Sequence, residues 1–395
     1  MRVPFHRAEI GEDEISEVVA TLRSGWLTTG PRTKQFESEF ATYVGVKHAI
    51  ALNSATAALH LALEAIGLRK GEAVLVPTMT FAATAEVVRY FDARPILVDC
   101  LPDDLNIDCG DARRQATAAV ARGEKIRAII PVHYGGKVVD MVGVRKLAAD
   151  FDLTIIEDAA HCCPAFYREN TAAPWQKAGS EAAVACYSFY ANKCITTGEG
   201  GMACTNDDAL AARMRVMSLH GISKDAWKRF TAEGSWYYEI VAPGFKYNLT
   251  DIASAIGLHQ LRKADVLRAA RERAVESYRQ QLSPLPEILL QAGDPNRIHS
   301  RHLFVVRLRM EYLDVDHRVV IDELKQAGIG ASVHWIPLHM HPYYRETYGY
   351  SPSDFPVAAA LFPTLISLPL FPAMTEEDIG YVCDSLGAIL RRHRR

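Results

Sequence analysis

The sequence predicts an α/β protein with a mainly parallel central sheet flanked by helices and a smaller α/β domain at its C-terminal end. Three observations lead there. Short β-type apolar runs alternate with helical ones through the first half of the chain, the pattern of a parallel sheet covered on both faces. Segments rich in small and polar residues follow directly on those runs, where an open sheet presents its ligand-facing side chains. After Cys204 the pattern shifts to longer helical segments.

The elements follow in order. Ile15, Val18, Val19 and Leu22 recur at helical spacing and the run stops at Gly25, which predicts an amphipathic helix and then a loop over 26–31. Pro31 suits the first turn of a second helix. Strands are expected at 49–52, 73–76, 95–98, 128–132 and 154–156, with helices at 55–66, 82–89 and 142–151. Farther on come helical segments at 207–217 and from 250 to about 282, a β-type run at 303–308, a helix at 318–326 and a last helix at 376–390. The second domain begins within the long helical run, giving domains 1–255 and 256–395. Nothing between them reads as a flexible linker, so the two are expected to pack together.

The chain has 395 residues, 49% hydrophobic and 23% charged, with a formal net charge of −3. That balance gives no general attraction for nucleic acid or for an acidic membrane surface. The only concentrated positive charge is the tail Arg391-Arg392-His393-Arg394-Arg395, read as a solvated helix end. Neither a signal-peptide core nor a bilayer-spanning run is found, so a cytoplasmic protein is expected. Eight cysteines are too sparse for a disulfide scaffold and badly spaced for zinc; they read as reduced thiols, and no metal is expected.

The segment with the most chemical content is Ser188-Phe189-Tyr190-Ala191-Asn192-Lys193-Cys194-Ile195-Thr196-Thr197-Gly198-Glu199-Gly200-Gly201. It sets Lys193 between a strand and a glycine-rich turn. A lysine with an ordinary pKa of about 10.4 is protonated at neutral pH, so it attacks a carbonyl only where burial or charge lowers that value. Taken alone, a lysine is more often a solvated surface group. Asp158 ends the strand in Ile155-Ile156-Glu157-Asp158-Ala159-Ala160-His161, well placed to meet a pyridinium nitrogen; a helix N-cap is the alternative. Asn53-Ser54-Ala55-Thr56-Ala57-Ala58-Leu59 starts a helix whose free N–H groups, with the Ser54 and Thr56 hydroxyls, suit a phosphate. A plain serine cap explains Ser54 equally well. Phe81, after a third strand, either lies against a cofactor ring or is simply core.

These segments, in this order, resemble the sugar aminotransferases of the DegT/StrS type. The likeness extends to Pro131-Val132-His133-Tyr134-Gly135-Gly136, Pro243-Gly244-Phe245-Lys246-Tyr247-Asn248, Val333-His334-Trp335-Ile336-Pro337 and Ser367-Leu368-Pro369-Leu370-Phe371-Pro372, and so covers nearly the whole chain. The resemblance implies the fold of PLP-dependent transferases of fold type I, a homodimer with shared active sites, and pyridoxal 5'-phosphate bound covalently to Lys193, with pyridoxamine phosphate as the intermediate. It implies that Asp158 partners the ring nitrogen, that His161 lies near the phenolic oxygen and that Phe81 stacks on the ring. Ala55, Thr56 and Ser188 match phosphate-binding positions, and Asn248 an asparagine reaching in from the neighbouring subunit. The expected reaction is ping-pong transfer of an amino group from L-glutamate to a UDP-, dTDP- or GDP-linked 4-keto-6-deoxy-hexose. Trp26 and Thr28 in the 26–30 loop, with Tyr190, His334 and Trp335, are the candidate lining for that sugar nucleotide; packing at the lobe interface is the alternative for Trp335. Two other readings share the fold: a sugar dehydratase, whose relatives carry histidine at the lysine position, and a non-catalytic regulatory homologue. A Rossmann dehydrogenase does not fit, because the stretch after the first strand contains no glycine.

Overall fold

A computed structural model describes residues 1–222 and 237–395. Two helices open the chain, α1 (Glu12–Ser24) and α2 (Pro31–Val44). Each ends at a glycine in the left-handed region, Gly25 with φ 75° and Gly45 with φ 89°, a conformation that costs residues with a Cβ about 1–2 kcal/mol. The apolar stripe of α1 does not face the core. Glu14 and Thr21 are buried there, whereas Ile15 and Leu22 are 47% and 50% exposed. The inward edge is polar because the Glu14 carboxylate accepts from Gly11 N at 2.9 Å and Gln260 Nε2 at 2.9 Å, and pairs with Lys263 at 2.6 Å.

The alternating region then runs β1 (His48–Leu52), α3 (Ala55–Ala65), β2 (Ala73–Pro77), α4 (Ala82–Arg89), β3 (Arg94–Val98), α5 (Cys109–Ala121), β4 (Ile126–Ile129), α6 (Met141–Phe151), β5 (Thr154–Asp158), β6 (Phe166–Tyr167), β7 (Gln176–Lys177), β8 (Val184–Ser188), β9 (Gly201–Thr205) and α7 (Asp208–Met217). Seven of these strands form one sheet in the order β1-β9-β8-β5-β4-β2-β3, in which β9 alone runs against its neighbours. Successive residues of each strand face opposite cores, as a two-residue period requires. In β1, Ala49 and Ala51 join α2, α5, α6 and a later helix, while Ile50 and Leu52 join α3, α4 and α7. Every residue of α3 from Ala57 to Leu63 is buried, which is why that helix is built so largely of alanine.

Two differences from the sequence reading have local causes. The strand expected at 128–132 ends at Ile129, close before Pro131, which has no N–H to give a ladder; a single bridge, Val132 to Asp158, resumes the pairing. The strand at 154–156 runs on through Glu157 to Asp158. Helix α5 carries no expectation from the sequence, because its inward face is Ala112, Ala116 and Ala119, residues too small to make a conspicuous stripe.

The remainder is α8 (Asp251–Arg262), α9 (Ala264–Leu282), β10 (Ile288–Leu290), β11 (Arg297–Ile298), β12 (Phe304–Leu308), α10 (His317–Gln326), α11 (Pro342–Tyr348), α12 (Pro356–Leu361), β13 (Leu365–Leu368) and α13 (Glu376–Arg392). The helical run expected from 250 is thus two helices that meet at Lys263. The antiparallel sheet β10-β12-β13 shares a separate core with α9, α10 and α13. A division after residue 255 falls inside α8, whose Leu258 and Leu261 belong to the first core. Helix α9 makes the passage, with Leu267 in the first core and Val275, Tyr278 and Leu282 in the last. The basic tail is solvated, as expected of a helix end, with Arg391, Arg392, Arg394 and Arg395 exposed, and part of it is paired: Arg392 and His393 with Glu323, and Arg394 with Glu287 at 2.5 Å.

Candidate active site

The carboxyl ends of the parallel strands surround a cavity of about 460 Å³. Ser54 and Ala55 follow β1, Thr80 and Phe81 follow β2, Val132 follows β4, Asp158 and His161 come from the end of β5, and Ser188 to Lys193 leave β8. His334 and Trp335 reach the cavity because their loop is tied to β2: Leu338 N donates to Thr78 O at 2.8 Å, and Thr78 Oγ1 lies 2.8 Å from His339 Nδ1. Of the expected site residues, Ala55, Thr56, Phe81, Asp158, His161, Ser188, Tyr190, Lys193, His334 and Trp335 all line this one cavity. Phe81 is 61% exposed, so it is not core.

Lys193 stands on the cavity wall with protein around it, and burial lowers its amine from 10.5 to about 8, against the opposing pull of Asp158. At neutral pH an appreciable fraction is therefore the free base that attacks a carbonyl. The linkage has a definite sign. The folded pKa lies below the unfolded one, so the unfolded chain holds more protons between about pH 8 and 10.5. Stability of the cofactor-free protein is expected to gain a contribution as pH rises through that window, measurable as a thermal midpoint that loses this component in Lys193→Met. An identical pH dependence in both proteins would contradict a buried, depressed lysine.

Asp158 is buried, and burial pushes its carboxyl up; Thr84, the Ala160 N–H and the nearby Lys193 charge act in the other direction. Thr84 Oγ1 donates to Oδ2 at 2.8 Å, and Ala160 N donates to Oδ1 at 3.1 Å. Since the single proton of Thr84 goes to the carboxylate, the 2.7 Å contact between Thr80 and Thr84 has Thr80 as donor. Removing that chain by Thr84→Val is expected to lower kcat by about tenfold, the scale of one hydrogen bond to a charged group. The acid limb of the pH–rate profile should move to higher pH, because the lost donor favoured the charged form. An unmoved limb would detach Asp158's ionisation from the rate.

At the other end, Ser54 is a helix cap: its Oγ accepts from Ala57 N at 3.0 Å. This leaves the Ala55 and Thr56 N–H groups without intrahelical acceptors and the Ser54 proton free to donate. The β9 strand passes so close that a Cβ on Gly201 would lie 2.3 Å from Ser54 C and 2.5 Å from Ala55 N. Gly201→Ala is expected to destabilise the protein by about 3 kcal/mol or more, read by denaturant unfolding, since backbone cannot yield as a side chain can. A loss under about 1 kcal/mol would mean the helix start shifts freely.

The remaining wall is aromatic. His161 stacks on Trp335 with ring centroids 5.1 Å apart and lies 4.2 Å from His302. Burial holds both imidazoles well below the usual histidine range, so both are neutral. Their Nδ1 atoms are buried without a hydrogen-bond partner among the described residues, as is Asn192 Oδ1. Thr80, Thr84, Asn192, Glu199 and His302 were not singled out from the sequence; the Thr80/Thr84 spacing of one helical turn at the start of α4 was the available signal.

Trp26, Thr28 and Asn248 are not among the residues that line this cavity. They gather elsewhere, around Thr29: Trp26 Nε1 donates to Thr29 O at 3.2 Å, Asn248 Nδ2 donates to Thr29 Oγ1 at 2.7 Å, and Asp251 N donates to Thr28 O at 3.2 Å. The Asp251 carboxylate fixes the loop by accepting from Gly30 N at 2.7 Å and Thr33 N at 2.9 Å.

The sequence pattern of the DegT/DnrJ/EryC1/StrS aminotransferase family matches residues 8–387. The chain belongs to that family. An uncharacterized protein of Methanocaldococcus jannaschii is 42% identical over 392 residues, 99% of this chain and 98% of the relative. The spore coat polysaccharide biosynthesis protein SpsC of Bacillus subtilis is 39% identical over 390 residues, 98% and 97% of the two chains. Among solved structures, Spr1654 from Streptococcus pneumoniae, named as a sugar aminotransferase and determined in PLP and PMP forms, superposes with a TM-score of 0.88 at 31% identity, covering 99% of this chain and 98–99% of that one. This member of the family is accordingly a PLP-dependent sugar aminotransferase of fold type I. The residues present fit the cofactor. A nucleophilic lysine, a buried carboxylate needing a cationic partner, a helix start with open N–H groups and two unsatisfied imidazole nitrogens converge on one cavity.

Proposed function

We propose that this aminotransferase moves an amino group from L-glutamate to a nucleoside-diphosphate 4-keto-6-deoxy-hexose, with pyridoxal 5'-phosphate anchored on Lys193. The observation that carries the reading is the lysine itself: its amine, lowered to about 8, shares a cavity with the buried Asp158. That lysine also argues against the dehydratase and the non-catalytic homologue. Asp158 would face the ring nitrogen, Phe81 the ring, His161 the phenolic oxygen, and Ala55, Thr56 and Ser188 the phosphate. When bound, the cofactor supplies an electrophilic carbon and a protonated ring that spreads the charge left at a deprotonated carbon.

The protein's part is to hold and move protons. With its Nζ free, Lys193 would take a proton from the donor's Cα in one half-reaction and give one to the sugar carbon that ends up bearing nitrogen in the other. Asp158 would be the carboxylate that holds a proton on the ring nitrogen. Neutral His161 and His302 can donate or accept without adding charge to the cavity. The two substrates would occupy the one cavity in turn, the first product leaving before the second enters while the enzyme retains the amino group, so ping-pong kinetics are expected. His334 Nδ1 is engaged by Ser367 Oγ at 2.9 Å, leaving Nε2 for the sugar nucleotide beside Tyr190 and Trp335.

Trp26, Thr28 and Asn248 would act on the cavity of a second copy. They form one cluster next to the exposed apolar stripe of α1, which suits a homodimer whose subunits complete each other's sites. No described helix is long and apolar enough to cross a membrane, and eight unpaired thiols suit the reducing cytoplasm. The test is to incubate the protein with glutamate and a panel of UDP-, dTDP- and GDP-4-keto-6-deoxy-hexoses and follow 2-oxoglutarate and amino sugar together. Stoichiometric formation of both supports the reading. Glutamate consumption with no acceptor in the panel aminated would overturn the substrate class.

A further inference from the structure

A guanidinium stays charged in proteins, and burying one without a carboxylate costs several kcal/mol unless other groups offset it. Arg271, on α9, is 2% exposed. Among the described residues no carboxylate pairs with it; its neighbour Glu272 is engaged by Arg301 at 2.9 Å and lies 3.9 Å from Arg268. The Arg271 fork instead donates to two consecutive backbone carbonyls, Cys194 O at 3.2 Å and Lys193 O at 3.4 Å, and its Nε has no partner among the described residues.

We propose that Arg271 is a positioning residue for Lys193, fixing the backbone from which the lysine side chain works, an inference that rests on Lys193 being the cofactor's anchor. The other ties of this turn hold it at points other than the lysine's carbonyl. His6 Nε2 meets Ala191 O at 2.9 Å, Lys193 N donates to Tyr190 O at 2.9 Å, and Thr196 N donates to Gln260 Oε1 at 3.2 Å. Arg271 grips the carbonyl of the lysine itself. A lysine stem has four rotatable carbons, so once its amine lets go of the cofactor, the reach of Nζ is set by where the backbone stays. A planar fork bonding two adjacent carbonyls fixes both position and tilt, which the single nitrogen of a lysine cannot do. The support is stiff, because α9 is the helix that passes from the large core to the small one. Burial is what chiefly disfavours the protonated form of His302, and the Arg271 guanidinium adds a smaller push in the same direction after His161 and Lys193.

Holoenzyme carrying Arg271→Lys or Arg271→Gln tests this alongside wild type. Three quantities are read: the site of the borohydride-reduced adduct, single-turnover bleaching by glutamate, and amide exchange of the peptide covering 190–197. The expected Arg271→Lys protein is folded and carries its adduct on Lys193. Its maximal single-turnover rate is about 10²-fold lower, as for a misplacement on the order of 1 Å, with little change in half-saturating glutamate. Exchange across 190–197 is faster while the central strands exchange as in wild type, and Arg271→Gln loses more on both readouts. Unchanged rates in both variants with the adduct on Lys193 would overturn this proposal alone, as would a loss confined to half-saturation. If neither variant folds, the arginine serves the fold and the proposal is wrong. A wild-type adduct on another residue would instead overturn the anchor reading beneath it.

Discussion

Lys193→Ala is expected to abolish turnover, by about 10⁴-fold or more, because one amine is both the cofactor's covalent anchor and the proton carrier of each half-reaction. The fold should survive. Lys193 lies in the turn between β8 and β9 rather than in either strand, its N–H bond to Tyr190 O at 2.9 Å is made by backbone, and removing a buried cation relieves desolvation. The variant should therefore elute like the wild type and unfold in one cooperative transition while giving no reducible adduct. Adding a primary amine should restore a small rate by replacing the proton carrier. Turnover within tenfold of wild type would rule out Lys193 as the group that handles the proton.

Asp158→Asn should bind cofactor and still lose about 10²–10³ in kcat, the scale of removing one preorganised electrostatic contact. The amide keeps the volume and one acceptor for Thr84. It cannot hold a positive charge on a ring nitrogen in a site where burial already penalises charge. The loss should lie in the steps that break the donor's Cα–H bond, so a deuterium isotope effect on single-turnover bleaching should be larger than in wild type. Equal rates would leave Asp158 only the role of a turn residue, accepting from Ala160 N where no helix follows the strand.

Much of this site was legible in the sequence because its residues occupy places that topology dictates. Asp158 and Ser54 sit at strand ends, and in a parallel sheet those ends share one edge. Lys193 was marked by the glycine-rich turn behind it, and Gly201 is there because the backbone of Ser54 allows no side chain. What stayed hidden depends on contacts between segments far apart in the chain. Arg271 reads as one more charge on a long helix, and nothing local reveals that it is buried under Lys193. His302 lies in a stretch without periodicity, and its approach to His161 follows from the packing of the small lobe on the large one. The apolar stripe of α1 was correctly read as helical, but its direction was not given by spacing: Glu14 faces inward because Gln260 of α8 offers it a partner, and Thr21 can be buried because its hydroxyl donates to Glu17 O within α1. The passage between the two cores is blurred in the sequence for a related reason, since helical periodicity continues through α8 and α9 while the cores on which they pack change.

The most direct test of the central claim is the visible spectrum of the purified protein before and after glutamate, with the borohydride-reduced adduct mapped by peptide mass. The account predicts a yellow band that glutamate bleaches and an adduct on Lys193. A colourless protein that takes up no added pyridoxal phosphate, or a band indifferent to glutamate, would contradict it.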